Sequence, residues 1–189
     1  MVSAAQREQL AAAIALDTVQ AARAATRVGE LVVVGSLRES IPGVNLIDDP
    51  GRGLVAAVEA GLAAVDPDLT SARAVLLGDV PALAPHDLDA ALELGLAVAT
   101  PGRAFVADAA GSGTTLVIAA PGEAHALRFG ADSARLHREA GYQELAIASG
   151  SPLRRDVDTV DDLLELARLH DAGELTLGSR TRAALDNLA

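Results

Sequence analysis

Short apolar runs alternate with stretches of helical periodicity along this chain, and that alternation restricts its fold more than any other feature. Leu31-Val32-Val33-Val34 and Ala74-Val75-Leu76-Leu77 have the length and composition of buried strands, and Leu145-Ala146-Ile147 reads as a shorter one. Residues 5–25 place Leu10, Ile14, Asp17-Thr18 and Ala21 at helical intervals, which predicts a helix ending near Gly29. Residues 44–47 form a short run before the turn formers Asp48-Asp49-Pro50-Gly51. Leu54, Val58, Leu62 and Val65 share one face of a predicted helix over 53–65. Further helices are predicted over 85–96, with Pro85 in the first turn, over 132–140, and over 161–170 behind Thr159 as N-cap. Residues 104–107 and 115–118 read as neighbouring strands around Gly111-Ser112-Gly113-Thr114. The expected class is α/β: a three-layer α/β/α arrangement with a mostly parallel sheet and helices on both faces. With no internal repeat and no linker, residues 1–189 are expected to form one domain.

Composition narrows the chemistry. The chain has no cysteine, which removes disulfides and thiolate metal sites and fits a reducing, cytoplasmic setting. No apolar stretch reaches the roughly twenty residues that span a bilayer, and Met1-Val2-Ser3 leads into the polar Gln6-Arg7-Glu8-Gln9 and not into a secretion signal. A formal net charge of -11 argues against a nucleic-acid surface, which draws its strength from basic side chains. All basic residues are arginine, so no catalytic lysine is available, and aromatics at 2% leave little for base stacking. His86, His125, His137 and His170 show no metal-ligand spacing and are expected at the surface.

Two carboxylate clusters carry the chemistry. Asp79 follows the strand at 74–77 within Gly78-Asp79-Val80-Pro81, where open α/β sheets collect ligands. A carboxylate there can hold Mg²⁺, which takes one or two protein carboxylates plus phosphate oxygens. Asp156-Val157-Asp158-Thr159 lies half a chain further on, and either aspartate could reach a metal shared with Asp79, with Asp158 equally suited to capping the next helix. Gly111 and Gly113 would let backbone amides approach an anion, or simply form a hairpin turn. Ser133, near the start of a short helix, could turn its hydroxyl to a phosphate or carboxylate, or serve only as a cap. Arg128, Arg154 and Arg155 could neutralise phosphate charge. Neither Ser112 nor Ser133 sits on a strand-to-helix nucleophile elbow.

Four pieces occur in order: Leu77-Gly78-Asp79-Val80-Pro81-Ala82-Leu83, Phe105-Val106-Ala107-Asp108 with Gly111-Ser112-Gly113-Thr114-Thr115, Arg128-Phe129-Gly130-Ala131-Asp132-Ser133, and Arg154-Arg155-Asp156-Val157-Asp158-Thr159. Together they resemble the guanylyltransferases of coenzyme F420 biosynthesis, which share the nucleotide-diphospho-sugar transferase-like fold of the molybdenum-cofactor nucleotidyltransferases. The resemblance runs over about residues 3–169. It implies transfer of GMP from GTP to a small phosphorylated acid, phosphoenolpyruvate or 2-phospho-L-lactate, with release of pyrophosphate. By motif it assigns Asp79 and Asp156 to Mg²⁺, and Thr114, Gly130 and Ser133 to the acceptor acid.

Two departures from the family pattern follow from the same comparison. Relatives begin with a strand and a basic loop that cradles the nucleotide phosphates, whereas Ser3-Ala4-Ala5-Gln6-Arg7 resembles the helix after that loop. Without that strand its neighbours would keep unpaired amides and uncovered apolar faces. Relatives often carry Asn where this chain has Val55. Besides a start placed too far downstream, a truncated homologue that binds without catalysis, or a nucleotidyltransferase for the molybdenum cofactor or a sugar phosphate, are alternative readings. Oligomeric state is left open.

Overall fold

The protein is described by a computed structural model over residues 3–98, 100 and 102–188; Met1 and Val2, read above as the lead into a polar segment, lie outside the described residues. Ser3 opens α1 (Ala4–Ala24) by a reciprocal cap, its hydroxyl accepting from the Gln6 amide while the Gln6 side chain accepts from the Ser3 amide. There follow β1 (Val32–Val34), β2 (Asn45–Ile47), α2 (Leu54–Val65), β3 (Arg73–Leu76), α3 (Pro85–Leu96), β4 (Arg103–Ala107), β5 (Thr114–Ala119), α4 (Ser133–Glu139), β6 (Gln143–Glu144), a 3₁₀ turn (Pro152–Arg154), α5 (Val160–Asp171) and α6 (Ser179–Asp186).

Four strands form a sheet in the order β3-β5-β4-β6, and β1 and β2 form a separate parallel pair. Strands β3, β4 and β6 run the same way, and β5 runs against its neighbours β3 and β4. The reversal has a local cause: residues 108–113 are too few for a crossover, so β4 and β5 close as a hairpin. Strand alternation then sorts the core into layers. Ala104 and Val106 of β4, with Leu116 and Ile118 of β5, meet Leu88, Ala91 and Leu92 of α3 and Ala22 of α1. Phe105, Ala107 and Val117 face the other way, against Val58 of α2, Leu127, Ala134 of α4 and Tyr142. Helix α3 lies so close to the sheet that a Cβ on Gly95 would collide with the Ile118 side chain.

Two elements differ from expectation. The strand expected over 145–147 stops early: the ladder covers Gln143–Glu144, Leu145 N–H adds one bond to the Phe105 carbonyl (2.9 Å), and the Ile147 amide turns back to the Leu145 carbonyl (2.8 Å). Helix α6 was not expected at all. Its polar start is capped from a distance, by the buried Asp17 carboxylate of α1, which accepts from the Arg180 (3.3 Å) and Thr181 (2.7 Å) amides.

Among the described residues, β1 and β3 each keep one edge with no strand partner. Both strands line a single apolar trough of about 730 Å³, floored in part by Val58 and Leu62 of α2 and Leu92 of α3. No helix among the described residues is long and apolar enough to cross a membrane.

Candidate active site

Asp79 stands just beyond the carboxyl end of β3, and the residue after it holds the loop in place. Val80 is fully buried, and its amide donates to the Thr18 hydroxyl (3.1 Å), which in turn donates to the Ile14 carbonyl of α1 (3.0 Å). The polar Asp17-Thr18 pair in the middle of α1 thus does two jobs, one capping α6 and one anchoring the acidic loop. Both side chains are buried and paired, as buried polar groups are.

The second carboxylate cluster comes to the same place. Val157 N–H donates to the Asp79 backbone carbonyl at 2.9 Å, which docks residues 155–158 against the β3 loop. Asp79 and Asp156 are both partly buried, and the charge of Asp79 raises the cost of ionising Asp156. Burial, followed by the charge of Asp158, holds the Asp79 carboxyl above its ordinary range. The Asp156 carboxyl is pushed up to about 6, first by burial and then by Asp79, Asp108 and Asp158. Oδ1 of Asp79 is buried and has no hydrogen-bond partner. Clustered, desolvated carboxylates with an unanswered oxygen are the donor set that a hard divalent cation fits. Among the described residues no group of three or more His, Cys, Asp or Glu side chains is arranged to hold a metal, and Mg²⁺ does not require one. Asp158 is exposed and does not cap α5; Thr159 does, in a reciprocal pair with Asp162.

The turn between β4 and β5 sits beside this pair. Asp108 accepts from the Ser112 (2.9 Å) and Gly113 (2.8 Å) amides, and a Cβ on Gly113 would meet its carboxylate at 2.5 Å. These amides are therefore turned inward to Asp108 and are not presented to an anion. Arg154 braces the same turn, donating to the Ala107 and Asp108 carbonyls (2.7–3.1 Å) and to the Ile147 carbonyl (3.2 Å). Its guanidinium is thus committed to backbone, while Nε of the partly buried Arg155 has no hydrogen-bond partner.

The three residues assigned to the acceptor acid are also brought together. Thr114 begins β5 and Ser133 begins α4, each 3% exposed, and Gly130 lies at the surface with φ +116°. The Ser133 amide donates to the Gly130 carbonyl (3.2 Å) and the Ala134 amide to the Ser112 carbonyl (3.0 Å). Two amides of the first turn of α4 are thereby occupied. Asp132, in the left-handed region, takes the N-cap position.

The histidines depart from expectation. His86 is exposed, but His125 and His170 are partly buried and His137 is fully buried. His137 bonds Thr114 Oγ1 through Nδ1 (3.0 Å) and accepts the Arg128 amide at Nε2 (3.1 Å). A histidine four residues after Ser133 on a short helix carried no spacing signal that would have marked it.

The chain is 44% identical to a phosphoenolpyruvate guanylyltransferase of Streptomyces scabiei, over 96% of its own length and 85% of that protein's. It belongs to the phosphoenolpyruvate guanylyltransferase family. It is also 39% identical to the Salinispora arenicola member, over 86% and 76% of the two chains, and 36% identical to phosphoenolpyruvate guanylyltransferase 2 of Rhodococcus jostii, over 86% and 75%. No family model matches the chain. As a member of this family the protein is a nucleotidyltransferase.

Proposed function

We propose that this protein transfers the guanylyl group of GTP to the phosphate of phosphoenolpyruvate and releases pyrophosphate, the step that the sequence resemblance places in coenzyme F420 biosynthesis. The observation that carries the proposal is the docking of Val157 on the Asp79 carbonyl, which joins two acidic clusters half a chain apart in sequence. The relatives' names specify phosphoenolpyruvate, and that is the acceptor taken here over 2-phospho-L-lactate. The setting is the cytoplasm, with no nucleic acid or membrane partner.

In this reading Asp79 and Asp156 hold Mg²⁺, which supplies neutralisation of phosphate charge when bound. Thr114, Ser133 and the backbone at Gly130 hold the acid so that one oxygen of its phosphate faces the α-phosphorus of GTP. A new P–O bond forms there as the bond to the bridging oxygen of the β-phosphate breaks, and pyrophosphate leaves with that electron pair. The protein's part is positioning and electrostatics. We assign the added positive charge to Arg155, since Arg154 is engaged with carbonyls.

The test is pyrophosphate release with GTP, Mg²⁺ and either phosphoenolpyruvate or 2-phospho-L-lactate, run on this chain and on an upstream-extended form. Phosphoenolpyruvate-dependent release supports the proposal, and release with neither acid in either form overturns it. Asp79→Asn in the active form should lower turnover by about 10²-fold or more. Folding should survive, because the substitution keeps the shape of the side chain and the buried Oδ1 of Asp79 makes no hydrogen bond that could be lost. Unchanged turnover removes Asp79 from the site.

A further inference from the structure

All three aromatic side chains of this chain gather around one histidine. Phe105, Phe129 and Tyr142 stand with ring centroids 5.8, 5.3 and 5.1 Å from that of His137, the last two edge-on. The imidazole so enclosed is 0% exposed, and burial pushes its pKa down to about 4 despite the nearby Ser133 carbonyl. It is a neutral ring at neutral pH, and a neutral ring carries one proton.

The position of that proton follows from its neighbours. The Arg128 backbone N–H can only donate, so Nε2, 3.1 Å away, is the acceptor and the proton resides on Nδ1. Nδ1–H then donates to Thr114 Oγ1 at 3.0 Å. A hydroxyl that accepts on one side has its own proton to give on another. We propose that His137 is a positioning residue for the acceptor acid: it fixes the hydroxyl of Thr114 as a donor toward the substrate and ties together the three segments that contact it. The proposal rests on the assignment of Thr114, Gly130 and Ser133 to the acid. Those residues come from the start of β5, from the loop that follows Arg128, and from the first turn of α4, and His137 is bonded to the first two and belongs to the third. A bare hydroxyl could rotate to accept or to donate. With the imidazole donating to it, the Thr114 hydroxyl keeps its own proton for another acceptor, which suits a carboxylate or phosphate oxygen.

The test separates the two bonds. His137→Asn keeps a donor near the Nδ1 position, His137→Gln keeps an acceptor near the Nε2 position, and His137→Leu keeps neither. The KM for phosphoenolpyruvate should rise about tenfold in the Gln and Leu variants, the scale of one lost hydrogen bond, and stay within about threefold in the Asn variant. The KM for GTP should move less than about twofold in all three. Equal losses in the Asn and Gln variants, or a parallel rise in the KM for GTP, overturn the proposal. Imidazole ¹⁵N NMR on the unaltered protein provides a second measurement that needs no substrate. An Nδ1–H tautomer is expected at pH 7, and an Nε2–H tautomer overturns the proposal whatever the kinetics show. Failure of the underlying functional reading looks different: no pyrophosphate from the unaltered protein, with the tautomer as expected.

Discussion

The pocket around His137 and the trough lined by β1 and β3 are opposite solutions to burying apolar side chains beside a sheet. At His137 both ring nitrogens have partners, three aromatic rings close the space, and Phe105 and Val117 beneath it are 0% exposed. At the trough, Val32, Val33, Val34, Val75 and Leu76 are only partly buried, and Leu54 is 48% exposed. The side chains there are as apolar as those of the first region, but the strand edges beside them are unpaired among the described residues. Apolar composition alone therefore does not make a core. A region becomes rigid when its backbone and polar groups are satisfied together with its apolar area, and substrate contacts are best carried on such a region.

The largest expected effect tests the rigid side of this comparison. Phe105→Ala removes a fully buried ring that packs on Val117, Tyr142 and His137, and should cost about 3–5 kcal/mol in urea unfolding. A loss below about 1 kcal/mol would mean that the pocket collapses to fill the space and is not the firm wall described. Activity on phosphoenolpyruvate should fall even under conditions where the variant remains folded, because His137 loses the surface that sets its ring.

Much of this was legible in the sequence, and the parts that were not share a cause. Runs such as 31–34 and 74–77 announced strands because β-branched and aliphatic residues cluster there, and Thr159 announced the start of α5 through its own local cap. Asp79 and Asp156 were recognisable from their places in short motifs. The hairpin orientation of β5 was foreshadowed only as one reading of Gly111-Ser112-Gly113-Thr114, since the turn alone does not say whether the next strand returns beside the first. Helix α6 and the role of His137 were hidden for a stronger reason. The cap of α6 is Asp17, and the partners of His137 are Thr114 and Arg128, so each depends on contacts between segments with no periodicity or spacing of their own.

Acid should loosen the rigid region while leaving the trough nearly unaffected. His137 and His125 are both held down to about 4, chiefly by burial, with Arg128 near the first and Arg73 and Arg103 near the second. Because their folded values lie below the unfolded value of about 6.5, the stability they contribute is fully present above pH 6.5 and is lost as pH falls toward 4. Thermal unfolding followed from pH 7.5 to 4.5 should show a declining midpoint. His137→Asn and His125→Asn should each flatten that decline, and a double variant should flatten it most. An unchanged slope in the double variant would place the acid sensitivity elsewhere, in groups such as Asp66 and Asp89 whose carboxyls are held low by backbone amides.

The smallest effect gives the sharpest comparison, because one substitution can be made on both sides. Val106→Ala on β4 removes two methyl groups from a side chain that is 0% exposed in the main core and should cost about 2–3 kcal/mol, the transfer term plus a cavity. Val33→Ala on β1 removes the same atoms from a side chain that is already partly in contact with water, so little transfer energy and no sealed cavity are at stake. Its expected cost is below about 1 kcal/mol. The amides of β1 should likewise exchange with solvent faster than those of β4 and β5, which are buried from residue 104 to 107 and along the whole of 114–119. If Val33→Ala proves as costly as Val106→Ala, and β1 exchanges as slowly as β4, then the trough is closed in solution and its two strand edges are paired there. That result would erase the distinction between the regions.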